Sequence, residues 1–139
     1  MTLSSDIDAK IRKSFSLQGL MARFEAELME VSEGRVVVSA PISPSVSQQH
    51  GAAHAGLTFA LGDTAAGYAA LSKFPLESEV LTVEMKINLM RPAFGDRLVA
   101  EGSVIKAGRK LSVVQARVFA ETGAVRKEIA LLQGTMIPA

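Results

Sequence analysis

The chain has 139 residues, a length typical of one domain that buries its core without disulfides or metal, and we predict a single domain over 1–139. It has no Cys and only two His, which excludes a disulfide framework, a Cys nucleophile and Cys-ligated zinc, and no metal or organic cofactor is implied. Its 15 Lys and Arg against 14 Asp and Glu lack the basic excess of nucleic-acid-binding proteins, so no nucleic-acid partner is expected.

An N-terminal helical segment is predicted over about 5–21. Ser5 is a candidate N-cap, and Ile7, Ile11 and Phe15 follow at i, i+4 and i+8, which makes one apolar stripe. The segment carries two Asp and has no apolar h-region, so it does not resemble a secretory signal.

Two strands are predicted next. Apolar residues alternate with charged ones from Phe24 to Leu28, and a second apolar run covers 35–40. The Ser-Glu-Gly turn signal at 32–34 lies between them, and a polar loop is predicted over 43–51.

A long apolar helix is predicted from about Gly56 to Lys73. Its residues are small or apolar on nearly every face, which predicts burial all round and places Phe59 and Tyr68 in the core. The stretch is shorter than 20 residues and contains Asp63, so it is too short and too polar to span a membrane. We expect a soluble, cytoplasmic protein with no membrane partner.

The second half of the chain reads as strands. Apolar and polar residues alternate over 81–89, with Thr82 in the polar register, and further strands are predicted over 97–106, 111–120 and 124–137. Hairpin-connected strands around one long helix indicate an α+β domain with a mostly antiparallel sheet. One helix leaves the other sheet face partly uncovered, which favours a homo-oligomer.

The start of the long helix is the candidate site. Gln48 and other polar residues precede it, and its first turn, at Gly56, has backbone N–H groups without intrahelical partners. Those amides and the helix dipole favour developing negative charge. Asp63 is a lone carboxylate in the apolar helix; burial would raise its pKa and mark a functional site, whereas a hydrogen bond from Thr82 would be the structural alternative.

The spacing of these residues constrains the site. Gly56 and Asp63 are seven residues apart in the sequence, which is roughly 10 Å along a helix. One substrate atom cannot touch both within one chain. We therefore predict that two subunits related by a two-fold axis share each site.

These residues resemble the phenylacetyl-CoA thioesterase-like (PaaI-like) branch of the hotdog superfamily. That branch typically reads Asn-x-x-x-x-x-His-Gly-Gly, followed seven residues later by Asp. Gln48 stands at the Asn position, His54 to Gly56 at His-Gly-Gly, and Asp63 at the Asp. The order of elements resembles the family over about 17–136.

The resemblance implies an acyl-CoA thioesterase with a hotdog fold, an antiparallel sheet of five to six strands wrapped around one central helix. Gly56 N–H would polarise the thioester carbonyl, and Asp63 of the partner subunit would act as general base or nucleophile. Gln48 would orient the carbonyl or the water, Thr82 would help to hold the water, and His54 would brace the loop.

Two residues depart from the family pattern. Ala55 replaces the first Gly after His54, so the polarising amide is that of Ala55 or of Gly56. Gln48 replaces Asn and is one methylene longer. His50 matches a His found in some members and is, with Ala55, a candidate substrate-binding residue.

Basic side chains are candidates for binding the phosphates of CoA. Lys106, Arg109 and Lys110 cluster at one predicted hairpin, and Arg91 follows the strand that contains Thr82. A solvated turn is the alternative reading of the cluster.

Other functions are weighed against hydrolysis. A hydratase or dehydratase on this fold would need its own His-containing, Pro-rich motif, which we do not find. A non-catalytic acyl-CoA-binding or sensing protein is the principal alternative, and Asp63 argues against a purely structural role. The acyl group, and the choice between a dimer and a dimer of dimers, stay open.

Overall fold

The structure is a computed structural model that describes residues 2–139. Six antiparallel strands and one long helix form most of it. The helices are α1 (Ser5–Ser16), α2 (Gly19–Arg23) and α3 (Ala55–Leu71), with a 3-10 turn at Pro44–Val46. The strands are β1 (Glu27–Ser32), β2 (Arg35–Pro41), β3 (Val80–Leu89), β4 (Arg97–Ala107), β5 (Ser112–Thr122) and β6 (Val125–Pro138).

The strands lie in the order β1-β2-β4-β5-β6-β3, and every neighbouring pair is antiparallel. α3 packs across one face of this sheet and contacts β2 to β6. The predicted α+β class and hotdog arrangement are confirmed, with six strands around the central helix. The order leaves β1 and β3 as the two edges of the sheet.

α3 occupies the centre of the core, but one of its faces is open. Leu57 and Leu61 are almost fully buried, whereas Gly56 is exposed and Phe59 keeps 37% of its surface accessible. Asp63 is half-buried on this open face. The predicted burial on all sides is therefore wrong for the single chain, because one sheet covers only one side of a helix. No helix within residues 2–139 is long and apolar enough to cross a membrane.

β4 approaches α3 very closely at Gly102. A Cβ at this position would lie 2.3 Å from the carbonyl carbon of Ala65 and 2.5 Å from the backbone nitrogen of Ala66. No side chain fits in that space, so Gly is required for the two backbones to touch. The contact holds the helix against the sheet two residues from Asp63.

α1 carries the predicted apolar stripe, but its N-cap lies one residue earlier than predicted. Ser4, not Ser5, is the N-cap: its backbone is extended, and its Oγ accepts a hydrogen bond from Ile7 N–H at 3.2 Å. Ser5 is already helical and therefore cannot cap the helix. Ile11 is fully buried and Phe15 packs against the core, which confirms the stripe.

β1 begins at Glu27, three residues later than predicted. Phe24 ends α2, and Glu25 adopts a φ of 55°. That left-handed conformation is incompatible with an extended strand, so the apolar alternation from Phe24 does not correspond to a strand.

β3 contains a bulge that changes the face occupied by Thr82. Thr82 pairs with Met136, and the next pair is Glu84 with Thr135, so Val83 is an extra residue. Thr82 therefore faces α3, whereas Glu84 lies on the opposite face and bonds Thr135. The predicted unbroken alternation is wrong, and the bulge is the reason.

Candidate active site

One group of the predicted site residues lies where the loop after β2 enters α3. A cavity of about 470 Å³ is present there, and Gln48, Ala55 and Arg91 contribute to its lining. Leu89 and Met90, at the end of β3, form another part of the wall. This cavity, which we term the amide cavity, therefore lies between the helix N-terminus and the end of the edge strand.

His54 is the N-cap of α3 and engages the amide of Gly56. Its Nδ1 accepts a hydrogen bond from Gly56 N–H at 2.8 Å. An accepting Nδ1 belongs to a neutral imidazole with its proton on Nε2. The N–H of Ala55 has no hydrogen-bond acceptor within residues 2–139. Of the two amides considered above, that of Ala55 is thus the one available to a ligand.

The side chain of Gln48 is oriented by its own loop. Gln48 Oε1 accepts a hydrogen bond from His50 N–H at 2.5 Å, and Gln48 N–H donates to Ala52 O at 2.8 Å. Since the carbonyl oxygen is engaged by the backbone, the Nε2 group is the donor that this side chain can present to the amide cavity. His50 itself is exposed.

Asp63 and Thr82 form the second group. Thr82 Oγ1 donates a hydrogen bond to Asp63 Oδ1 at 2.8 Å. Burial raises the pKa of Asp63 above its ordinary value, and the hydrogen bond from Thr82 opposes that rise. Residues 2–139 hold no cluster of three or more His, Asp or Glu placed to bind a metal ion. The hydrogen bond from Thr82 and a functional role for Asp63 are therefore compatible, because the pKa of the bonded carboxylate stays raised.

The two groups are separated within one chain. Ala55 and Asp63 are eight residues apart on α3, which is about 12 Å along the helix. Asp63 lies beside the start of β3, in a cavity of about 170 Å³ that Val80 and Thr82 also line, whereas Ala55 lies near the end of β3. One chain thus carries two half-sites. We term the cavity that Asp63 lines the carboxylate cavity.

The basic candidates also lie apart. Arg91 lines the amide cavity, whereas Lys106, Arg109 and Lys110 are exposed around the β4–β5 hairpin. Strand pairing places this hairpin at the end of the sheet where β3 begins. The structure does not bring Arg91 to the hairpin within one chain.

The carboxylate cavity includes residues that the sequence analysis did not assign to a site. Gln18, Thr64, Gly67 and Tyr68 line it together with Asp63. Tyr68 is buried as predicted, but its hydroxyl is part of a polar network. Of the three on α3, Gly67 at i+4 lies on the helix face of Asp63 and carries a usable sequence signal, whereas Thr64 and Tyr68, at i+1 and i+5, project in other directions. Gln18 carries no such signal because it comes from a distant segment.

Comparison with known proteins identifies the relatives of this arrangement. Residues 50–127 match the model of the thioesterase superfamily. A thioesterase family protein from Silicibacter pomeroyi is 37% identical in sequence and has a TM-score of 0.92, with 95% of this chain and 97% of that chain covered. The PaaI protein of the phenylacetic acid degradation operon of Escherichia coli shares the fold, with 22% identity, a TM-score of 0.85 and coverage of 99% and 96%.

A third relative comes from Halobacterium salinarum and is provisionally named an esterase. It is 28% identical over 120 residues, which cover 83% of this chain and 79% of the relative. Together these matches confirm the predicted resemblance to hotdog thioesterases.

Proposed function

Because this chain belongs to the thioesterase superfamily, we propose that it hydrolyses an acyl-CoA to a carboxylic acid and CoA. The observation that carries the proposal is Asp63, a half-buried carboxylate in an apolar helix, held by Thr82 at 2.8 Å. Its raised pKa makes it a stronger base than an exposed aspartate and suits it to activate water.

A second copy of the chain, joined along β3, would complete each site. β3 is an edge strand, and its Leu81 and Val83 keep 55% and 57% of their surface exposed. An exposed apolar edge is a template for pairing with another chain. The opposite edge, β1, has only six residues and is interrupted between Leu28 and Glu30. We therefore place the partner subunit at β3.

Antiparallel pairing of β3 with its copy supports a shared site. The carboxylate cavity lies beside Val80 at the start of β3, and the amide cavity lies beside Leu89 at its end. In an antiparallel pair the start of one strand lies against the end of the other, and a two-fold axis repeats the contact. Asp63 then faces the partner subunit's Ala55, and a homodimer holds two complete sites. A dimer of dimers would preserve them.

The free donors and the carboxylate suggest how hydrolysis proceeds. Ala55 N–H and Gln48 Nε2 would hydrogen-bond the thioester carbonyl oxygen, reinforced by the dipole of α3. Asp63 from the other subunit either takes a proton from the water that attacks the carbonyl carbon, or attacks that carbon itself and forms an anhydride that water cleaves. In both routes the C–S bond breaks and the CoA thiolate leaves and is protonated. Thr82 orients Asp63, and His54 holds the start of the helix.

The same dimer accounts for the separated basic residues. It places the β4–β5 hairpin of one subunit, with Lys106, Arg109 and Lys110, at the same end of the assembly as the partner subunit's Arg91. Arg and Lys bind phosphates well. We therefore assign the phosphates of CoA to these two groups of residues. The exposed His50, whose N–H bonds Gln48 of the amide cavity, stays a candidate for binding substrate.

The test is thiol release from short, medium, long and aryl acyl-CoAs by the native chain and by Asp63→Asn. Asn keeps the shape and the acceptor for Thr82 but not the charge, so the rate should fall by at least about 100-fold. Asp6→Asn makes the same change at an exposed position of α1 and serves as the control. Binding of CoA esters without turnover would make the chain an acyl-CoA-binding protein, and full activity of Asp63→Asn would remove Asp63 from the chemistry.

A further inference from the structure

The carboxylate cavity has a wall that comes from outside the region shared with the superfamily model. Gln18 lies at the junction of α1 and α2, whereas the match covers only 50–127. Gln18 Nε2 donates a hydrogen bond to the Tyr68 hydroxyl at 2.7 Å, and Ser14 Oγ lies 2.9 Å from the same hydroxyl. Phe15 packs its ring against that of Tyr68, with centroids 6.4 Å apart. Gln18 is thus held in a defined position at the end of the cavity.

The fixed amide of Gln18 leaves one polar atom for a ligand. Its Nε2 is engaged with Tyr68, while Gln18 Oε1 has no donor within residues 2–139. Gln18 is half-buried, so water or the hydroxyl of a bound molecule can reach this oxygen. Thr64, next to Asp63 in α3, adds a further hydroxyl to the lining. An alkyl chain in this cavity would cover these polar atoms without replacing the hydrogen bonds that they make to water.

Size and charge indicate which part of an acyl-CoA enters this cavity, an inference that rests on the proposed function. Its volume is about 170 Å³, close to the ~150 Å³ of an engineered cavity that binds benzene. Its lining includes Asp63 and no Lys or Arg, so it suits neither the long pantetheine arm nor the phosphates. The amide cavity, with about 470 Å³ and Arg91, is the larger and the cationic one. The acyl group therefore belongs in the carboxylate cavity.

We propose that Gln18 is a specificity-determining residue, which accepts a hydrogen bond from a hydroxyl at the far end of a short acyl group. Tyr68, which anchors Gln18, lies five residues after Asp63 on α3, or roughly 7.5 Å along the helix. With C–C bonds of about 1.5 Å, an extended chain of roughly six bonds spans this distance. Tyr68 is a positioning residue in this scheme, because it fixes the amide that contacts the acyl group.

The experiment compares kcat/KM for a matched pair, 6-hydroxyhexanoyl-CoA and heptanoyl-CoA, which differ by a hydroxyl in place of a methyl. The native chain should prefer the hydroxyl compound by about 10-fold or more, because a site built to hydrogen-bond a hydroxyl discriminates against its absence. Gln18→Leu keeps a similar volume without either amide atom and should bring the ratio close to one. Gln133→Leu makes the same change on the exposed face of β6 and should keep the native ratio. Melting curves show that each variant is folded.

The outcomes separate this inference from the proposed function. A native chain that hydrolyses both esters through Asp63 without preferring the hydroxyl overturns the role of Gln18 alone. The same holds if Gln18→Leu retains the native preference. A native chain that hydrolyses no acyl thioester overturns the thioesterase proposal and, with it, the acyl pocket. A preference lost in Gln18→Leu and kept in Gln133→Leu supports the assignment.

Discussion

Subunit complementation tests the shared site most directly. One variant chain carries Asp63→Asn and lacks the carboxylate. The other carries Gln48→Ala and Ala55→Pro and lacks both free donors of the amide cavity. Pro is tolerated at the first position of a helix, and His54 before it is already extended, so the second chain should fold. Each variant alone should retain about 1% or less of native activity.

Mixing the two chains has a calculable effect if each site uses both subunits. In a mixed dimer one site has the intact Asp63 and the intact donors, and the other site has neither. Random assortment makes half of the dimers mixed, and half of their sites are intact, so total activity should reach about a quarter of the native value. That is a rise of roughly 25-fold over either parent.

The assay is thiol release after the chains are unfolded together and refolded, with two different affinity tags to isolate the mixed dimer. Purified mixed dimer should have about half of the native activity per dimer. The control refolds each variant with itself under the same conditions. If isolated mixed dimers are no more active than their parents, the half-sites do not meet between subunits, and our placement of Asp63 opposite Ala55 is refuted.

Three further outcomes follow from the same geometry. Ala55→Pro alone should lower kcat by about 10²- to 10³-fold through loss of one N–H donor. The control Ala55→Ser keeps the N–H and should stay near the native rate; equal rates for the two variants would exclude the Ala55 amide from the chemistry. Asp63→Asn should raise the melting temperature at pH 7, because the folded pKa of Asp63 exceeds its unfolded value. The stability that Asp63 contributes is present below the unfolded pKa of about 3.9 and is lost as pH rises through the folded pKa, so the gain should shrink in melts near pH 4. Val83→Lys should disrupt pairing along β3, so that sedimentation shows monomers and the thiol-release rate falls by at least about 10-fold. An active monomer would contradict the shared site.

Local patterns were sufficient to predict most of the fold. The 3.6-residue spacing of Ile7, Ile11 and Phe15 predicts α1, and the charge-poor run around Asp63 predicts α3, because both signals arise within one element. The sharing of Asp63 between two subunits was inferred from its distance to Gly56 along one helix and stays a prediction. The inferences about α1 and α3 succeed because every residue that they need lies in the same element.

Features that depend on contacts between elements were not predictable in this way. A bulged strand has the same alternating composition as a regular one, so nothing in the residues around Thr82 showed that one extra residue turns its side chain towards α3. The hydrogen bond from Gly56 to His54 depends on a side-chain conformation, and it decides which amide is free. The contact between Gln18 and Tyr68 depends on how α1 and α2 dock on the helix, which no local pattern records.

The close contact at Gly102 has a consequence for the chemistry. Asp63 belongs to the helix layer and Thr82 to the sheet layer, and their 2.8 Å hydrogen bond crosses the gap between the two. Gly102 sets the width of that gap nearby, at Ala65. The spacing of the layers therefore sets the position of the proposed catalytic carboxylate, and a larger residue at position 102 would move Asp63 without contacting any substrate. Redesign of the proposed acyl pocket has to leave Gly102 unchanged.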